Sequence, residues 1–336
     1  ALGEMVVEKS GVLNLGVEGM MIIGAIAGFA AATATTSPML GILSAALAGA
    51  TLALIFGVLT QILLANQVAT GLALTLFGLG LAALVGQPFA GLKPPPFPKV
   101  DLVFLSDAPI IGPLLFSHDL MVYFGLAIVT LTWAFLTFTR TGLTLRAVGE
   151  DHDAAHALGY NVIRIRLAAI AFGGAMAGIG GAYLSLIRVP QWSEGMTAGA
   201  GWIALAIVVF GTWRPWRVML GAYLFGGVTI LQLNMQAASI TPLWLITLAL
   251  FLGAVHVTVS SLTREGPTSR WLVFLWVATF AMVAVAQTYP IAIPTQYLSM
   301  APYIATILVL VVMSADRLRT NLNAPASLGQ VFHRTG

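Results

Sequence analysis

RTGLTLRAVGEDHDAAHALGYNVIRIR (Arg140–Arg166) decides how this chain is read. It carries seven charged side chains, Arg140, Arg146, Glu150, Asp151, Asp153, Arg164 and Arg166, in a protein that is only 8% charged. Long apolar runs flank it on both sides. A charged segment between such runs is a loop in water, and its arginine excess assigns it to the cytoplasm. Inside it, Asp153-Ala154-Ala155 followed by Gly159 predicts a short helix with a small, flat face. Asp151 or Glu150 can cap its start, and Gly159 can end it in the left-handed conformation. Two turns of helix are too short to be stable alone, so this one needs a surface to dock against.

Composition agrees with a membrane setting. The 336 residues are 59% hydrophobic, with a mean hydropathy of +0.94. A soluble domain carries about 25% charged residues. The apolar runs are continuous rather than alternating, which selects helices over a barrel. The fold expected is an all-α integral membrane protein, a polytopic bundle of about ten spans. Its runs lie at 11–34, 39–65, 66–86, 120–139, 167–187, 200–212, 218–238, 241–260, 271–289 and 296–314. A span needs about 20 residues, so the 200–212 run reads as tilted, broken or re-entrant. The net charge of +3 carries no nucleic-acid signal, and the absence of cysteine excludes disulfides and thiolate metal sites.

Charge distribution gives orientation. With 140–166 inside, the inner segments hold Lys9, the four arginines of that stretch, Arg214, Arg217, Arg264, Arg270, Arg317, Arg319 and Arg334. The outer segments hold only Lys93, Lys99 and Arg188. That bias makes 86–119, with Pro94-Pro95-Pro96 and Pro98, an external loop, and 315–336 a cytoplasmic tail. Residues 1–336 form one permeating domain in this reading. Gly173, Gly174, Ala177, Gly178 and Gly181 have the small-xxx-small spacing that lets helices approach closely.

Polar groups inside apolar runs are the candidates for function. Asn14 and Glu18 are four residues apart and share a face if the run is helical. A carboxylate there is either functional or a structural cap. Gln61, Asn66, Gln67 and Thr70 form a second polar cluster, and Gln232 and Gln236 a third. Amides both donate and accept, which suits hydroxyl-rich substrates, but they also bond helix to helix. Trp192 reads as an interfacial anchor. His152-Asp153-Ala154-Ala155-His156 is HDxxH, one carbon from the HExxH zinc motif, so an intramembrane metalloprotease is an alternative. The shorter acid and the lack of a third ligand argue against it, and a solvated helix face explains both histidines. No residue is assigned a catalytic role, and no metal or cofactor is expected. There is no G-x-x-x-x-G-K-[ST], so any ATP hydrolysis lies on another chain.

GVLNLGVEGMM (11–21), NQVATGLALTLFG (66–78), RAVGED with the following Ala154-Ala155 and Leu158-Gly159, EGMTAGAGWIALAIVVFGTWRP (194–215) and APYIATILVLV (301–311) resemble permease subunits of ABC importers. Within them the resemblance is to the nucleoside and simple-sugar branch of the branched-chain amino acid and ribose permease superfamily. It implies an ABC importer permease fold in a bacterial inner membrane, amid membrane lipids. It also implies an ABC ATPase subunit that uses the ATP, a second permease subunit and an extracytoplasmic substrate-binding lipoprotein. Asp153, Ala154, Ala155 and Gly159 match the coupling motif of such importers, with Arg146 and Glu150 beside it, though the Leu-Pro that ends its fullest form is absent. Asn14, Glu18, Asn66, Gln67, Thr70, Gln232 and Gln236 are the substrate-pathway candidates. Three departures follow. The family pattern has another apolar helix before residue 1, and a basic residue where Ala200 stands. The third is an added helical hairpin over 241–289. An ion-coupled secondary transporter is the remaining alternative, with Glu18 as its sole buried charge.

Overall fold

The computed structural model describes residues 1–98, 118–237, 269–288 and 324–333, together with scattered positions between 247 and 258 and between 300 and 307. It falls into two compact units, Ala1–Tyr223 with Val309–Gly336, and Leu224–Leu308. The described secondary structure is helical throughout. In order these are α1 (Leu2–Lys9), α2 (Val17–Thr35), α3 (Pro38–Gly57), α4 (Gln67–Gly86), α5 (Leu120–Phe138), α6 (Arg140–Glu150), α7 (His152–Ala157), α8 (Val162–Tyr183), α9 (Ala200–Phe210), α10 (Pro215–Ala237) and α11 (Ser269–Thr288). A π-helical turn, Val58–Ile62, extends α3, and another, Leu184–Arg188, extends α8.

Six of the described helices are long and apolar enough to cross a membrane, fewer than the ten spans expected. The 241–260 and 296–314 runs lie largely outside the described residues. In the second unit, Trp276 of α11 packs edge-on against Phe251 at 5.7 Å and donates to the Thr258 hydroxyl at 3.2 Å. The 200–212 run is α9, only 11 residues. At 1.5 Å per residue it covers about half of a ~30 Å hydrocarbon core.

Two further expectations are corrected. The 11–34 run is helical only from Val17, as α2; residues 10–16 form the break after α1, and Asn14 sits in it. Asn14 and Glu18 therefore do not share a helix face. Asn14 instead turns back on its own segment, its Oδ1 accepting from the Gly16 amide at 2.9 Å. The second correction concerns Arg164 and Arg166. They are not in a loop, because Asn161 accepts from the Arg164 amide at 3.0 Å and starts α8 there.

The centre of the first unit is α2, α3 and α8. Small residues set their spacing. A methyl group on Gly24 would lie 2.2 Å from the Gly178 Cα, and one on Gly49 would lie 2.2 Å from the Gly174 carbonyl oxygen. Without side chains between them the backbones close, and Phe29, Phe56, Met20, Ile22 and Ile170 fill the flanks. Trp192 joins this core against Gly86 and Phe29's neighbours, so it is a packing residue rather than a surface anchor. Outward, Leu43, Leu47, Leu76, Leu84, Leu131 and Leu220 stay exposed, which is the surface lipid requires.

Candidate functional site

The 140–166 stretch builds a platform at one end of the first unit. Thr139 caps α6 by accepting from the Gly142 amide at 3.0 Å. Asp151 then caps α7, accepting from the amides of Asp153 and Ala154 at 3.0 and 2.9 Å. Gly159 ends the turn at φ +90°, where a Cβ would be strained. These are the local features that the residue types demand. What they do not dictate is which face of α7 turns inward. Ala155 does: it is 3% exposed and packs with Val148, Val162 and Phe332. Asp153, Ala154 and Gly159 stay on the exposed side, as does Glu150. Leu158 is 77% exposed, a large apolar side chain with no cover, and Tyr160 beside it is exposed too.

Phe332 comes from the far end of the chain. Residues 324–333 lie as a strap behind α6 and α7. The Ser327 amide donates to the Gly149 carbonyl at 3.0 Å, and the Gly329 amide to the Gly11 carbonyl at 3.0 Å. The Ser327 hydroxyl donates to the Gly149 carbonyl at 2.6 Å. The Phe332 ring sits edge-on to His152 at 5.5 Å and to His156 at 5.2 Å. Both imidazoles of HDxxH thus pack against the strap. Among the described residues no group of three His, Cys, Asp or Glu side chains could hold a metal ion.

Arg166 joins platform, strap and bundle. It is 0% exposed. Its Nε donates to the Ser10 carbonyl at 3.1 Å, and its Nη1 to Gln61 Oε1 at 3.2 Å and to the Gln330 carbonyl at 3.3 Å. Gln61 is presented by the π-helical turn after α3, a device that re-aims one side chain within a helix. Sequence reasoning counted Arg166 as one more inner charge and missed the strap. The only signal was the pairing of a basic residue with an amide inside apolar runs.

Arg166 Nη2 also meets His152 Nδ1 at 3.4 Å. Because arginine can only donate, Nδ1 accepts and the imidazole proton rests on Nε2, 3.8 Å from Asp153 Oδ1. Burial first, then the Arg166 guanidinium, lowers the His152 pKa below its ordinary value of 6.5, while Asp153 and Asp151 oppose the shift. With the folded value below the unfolded one, the unfolded form takes the proton first. The contribution of this contact is therefore complete above 6.5 and declines as the pH falls below it. We expect hydrogen exchange at the Ser327 and Gly329 amides, corrected for intrinsic rates, to accelerate on acidification through that range. His152→Gln should flatten the response; pH-independent protection in the wild type would show that strap and imidazole are not linked.

The pathway candidates separate in space. Glu18 is 4% exposed and faces the start of α9. One oxygen accepts from the Thr197 hydroxyl and from the Gly199 amide at 3.0 Å, and the other from the Gly201 amide at 2.6 Å. A helix N-terminus offers bare N–H groups and a positive dipole end, and here a fixed carboxylate of the same chain fills it. Gln67 is buried at the start of α4; its Oε1 accepts from the Leu13 amide at 2.8 Å, while its Nε2 has no partner among the described residues. Asn66 is exposed and caps α4 by accepting from the Ala69 amide at 3.0 Å. Thr70 is half-buried one turn on. Gln232 is buried on α10, and the side chain of Gln236 lies outside the described residues. The structure thus brings Asn66, Gln67 and Thr70 together on one helix start and leaves the glutamines of α10 in the other unit.

Comparison with known proteins places this helical architecture. The family model described as branched-chain amino acid transport system / permease component matches residues 1–255. The chain belongs to that family. A provisionally named glucose ABC transporter permease protein of Haloferax volcanii is 41% identical over 244 residues, 71% of this chain and 74% of the relative. The guanosine ABC transporter permease protein of Bacillus subtilis is 34% identical over 242 residues, 68% of this chain and 75% of the relative. A nucleoside ABC transporter permease protein of Lactococcus lactis is also 34% identical over 242 residues, covering 69% and 76%. No solved structure matches the chain. The protein is therefore a multi-pass membrane permease subunit of an ABC transporter, and ATP hydrolysis belongs to a separate subunit. The strap at 324–333 lies beyond the residues that the family model covers.

Proposed function

We propose that this permease imports a nucleoside or a simple sugar, and that α7 receives the force of the ATPase. The substrate reading rests on the relatives, which transport glucose, guanosine or nucleosides by name. Asn66, Gln67 and Thr70 support it: they cluster at one helix start, and the unpartnered Gln67 Nε2 is a donor available to a hydroxyl. In this reading 140–166 and the strap are cytoplasmic. The partners are an ATPase that uses the ATP, a second permease and an outer substrate-binding protein.

The coupling reading rests on one observation, the exposed outer face of a helix that is capped at both ends and held from behind. Leu158 projects from it at 77% exposure, where burial on a partner gains about 1.5–3 kcal/mol. Arg146 of α6 lines a cavity, so the contact is assigned to the exposed Asp153, Ala154, Leu158 and Tyr160. Leu158→Asp should leave membrane abundance unchanged, since exposed positions tolerate substitution within about 0.5 kcal/mol. It should abolish co-purification of the ATPase and stop uptake. Wild-type values for both would remove α7 from the coupling interface. Ala155 is unsuitable for this test because it faces the protein's own interior.

A further inference from the structure

A cavity lies beside α6 in the first unit. Its volume is about 530 Å³. Four cations line it: Lys9 from the end of α1, Arg146 from α6, Arg214 from the α9–α10 turn and Arg217 from the first turn of α10. Trp133 and Trp216 form its outer wall, their ring centroids 6.3 Å apart. Among the described residues no carboxylate lines it. Two acids act at its margin: Glu8 accepts from the indole of Trp213, which lines the cavity, and Glu150 acts on Lys9. Burial lowers the Lys9 pKa; Glu150 opposes this, and Arg146 and Arg214 add to the lowering, as neighbouring like charges do. The Arg146 Nε is buried and has no hydrogen-bond partner among the described residues.

From these features we propose that the cavity binds the phosphate-bearing headgroup of an anionic phospholipid. Concentrated positive charge with a buried, unused donor calls for an anion. The position says which one. The cavity lies between the end of α5 and the first turn of α10, the two least buried of the six span-length helices. Phe138 and Leu220, on those helices, are exposed and apolar. Tryptophans at the ends of apolar helices sit at headgroup depth, and basic pockets between such helices take anionic headgroups. An acyl chain can lie along the exposed α5 and α10 surface while its phosphate reaches the four cations. A soluble anion would have no use for that apolar approach.

The test is native mass spectrometry of the purified full chain, equilibrated with a mixture of phosphatidylglycerol and phosphatidylcholine. The wild type should retain phosphatidylglycerol preferentially. Arg214→Gln with Arg217→Gln should reduce that preference by about tenfold or more, as two interfacial charges are lost. Arg140→Gln with Arg164→Gln removes the same charge from exposed positions outside the cavity and should leave it unchanged. Equal loss in both double variants would show bulk attraction and overturn the proposal. So would displacement of the lipid by inorganic phosphate, which would mark a soluble-anion site. Exclusion of the lipid on adding the ATPase subunit would mark a protein contact and overturn it too. The wild-type selectivity decides the question even if the first double variant fails to insert: no preference sinks it.

Discussion

Glu18→Gln should lower the melting temperature of the purified permease and reduce its amount in the membrane. The carboxylate accepts from Thr197, Gly199 and Gly201, all buried or half-buried around the start of α9. A glutamine offers one oxygen and one NH2. The NH2 would face an amide donor, so one buried donor pair is left opposed and the remaining bonds lose their charge. Hydrogen bonds to a charged group contribute about 1.5–3 kcal/mol, and an unsatisfied buried donor costs about 1–3. The expected loss is about 2–4 kcal/mol. Gly201 leaves no room for relief, because a Cβ there would lie 2.5 Å from the Glu18 backbone. Thermal unfolding in detergent, read beside immunoblots of membranes, measures it. Wild-type stability with reduced uptake would instead make Glu18 a pathway group and leave α9 to be held by packing.

Phe332→Ala should release the strap while the bundle stays folded. Core Phe→Ala substitutions cost about 3–5 kcal/mol, and this small cluster at the edge of the unit should lie near the lower end. The ring is the largest side chain of the buried cluster with Val148, Ala155 and Val162, and it packs against both imidazoles. Without it, Ser327 and Gly329 keep their backbone bonds but lose the apolar anchor. Limited proteolysis should cut near 324–333 at least tenfold faster, since each 1.4 kcal/mol is tenfold in the open population. Uptake should fall because α7, two turns long, has lost its support. Phe332→Leu should restore much of both. Unaltered proteolysis in Phe332→Ala would show that hydrogen bonds alone hold the strap.

The two variants probe opposite kinds of legibility. The short helix α7 was readable because its determinants are local. Asp151 reaches amides two and three residues on, and Gly159 is chosen by its own backbone angle. The same locality explains the membrane class, which follows from solvation of continuous apolar runs whatever they pack against. It explains the short 200–212 run as well: length alone forbade a span, and α9 is a half-length helix.

Where the reading went astray, a partner distant in sequence had intervened. Charge density made 140–166 a loop, but Arg166 finds acceptors on Ser10, Gln61 and Gln330, so a charged residue could be buried in α8. Apolar continuity made 11–34 one helix, but Asn14 and the Gln67 side chain satisfy the backbone of a break there. Periodicity of two alanines could not say that Ala155 turns inward, because Phe332, distant along the chain, completes the cover over that face with Val148 and Val162. The sequence by itself determined what each segment must be in water or in lipid, since transfer energies and caps belong to residues and their near neighbours. Only the tertiary structure decided which polar groups are spent inside the protein and which remain for partners. Hydrogen-bond satisfaction is settled by whichever donor and acceptor the fold brings within 3 Å or so, and that distance has no counterpart along the chain.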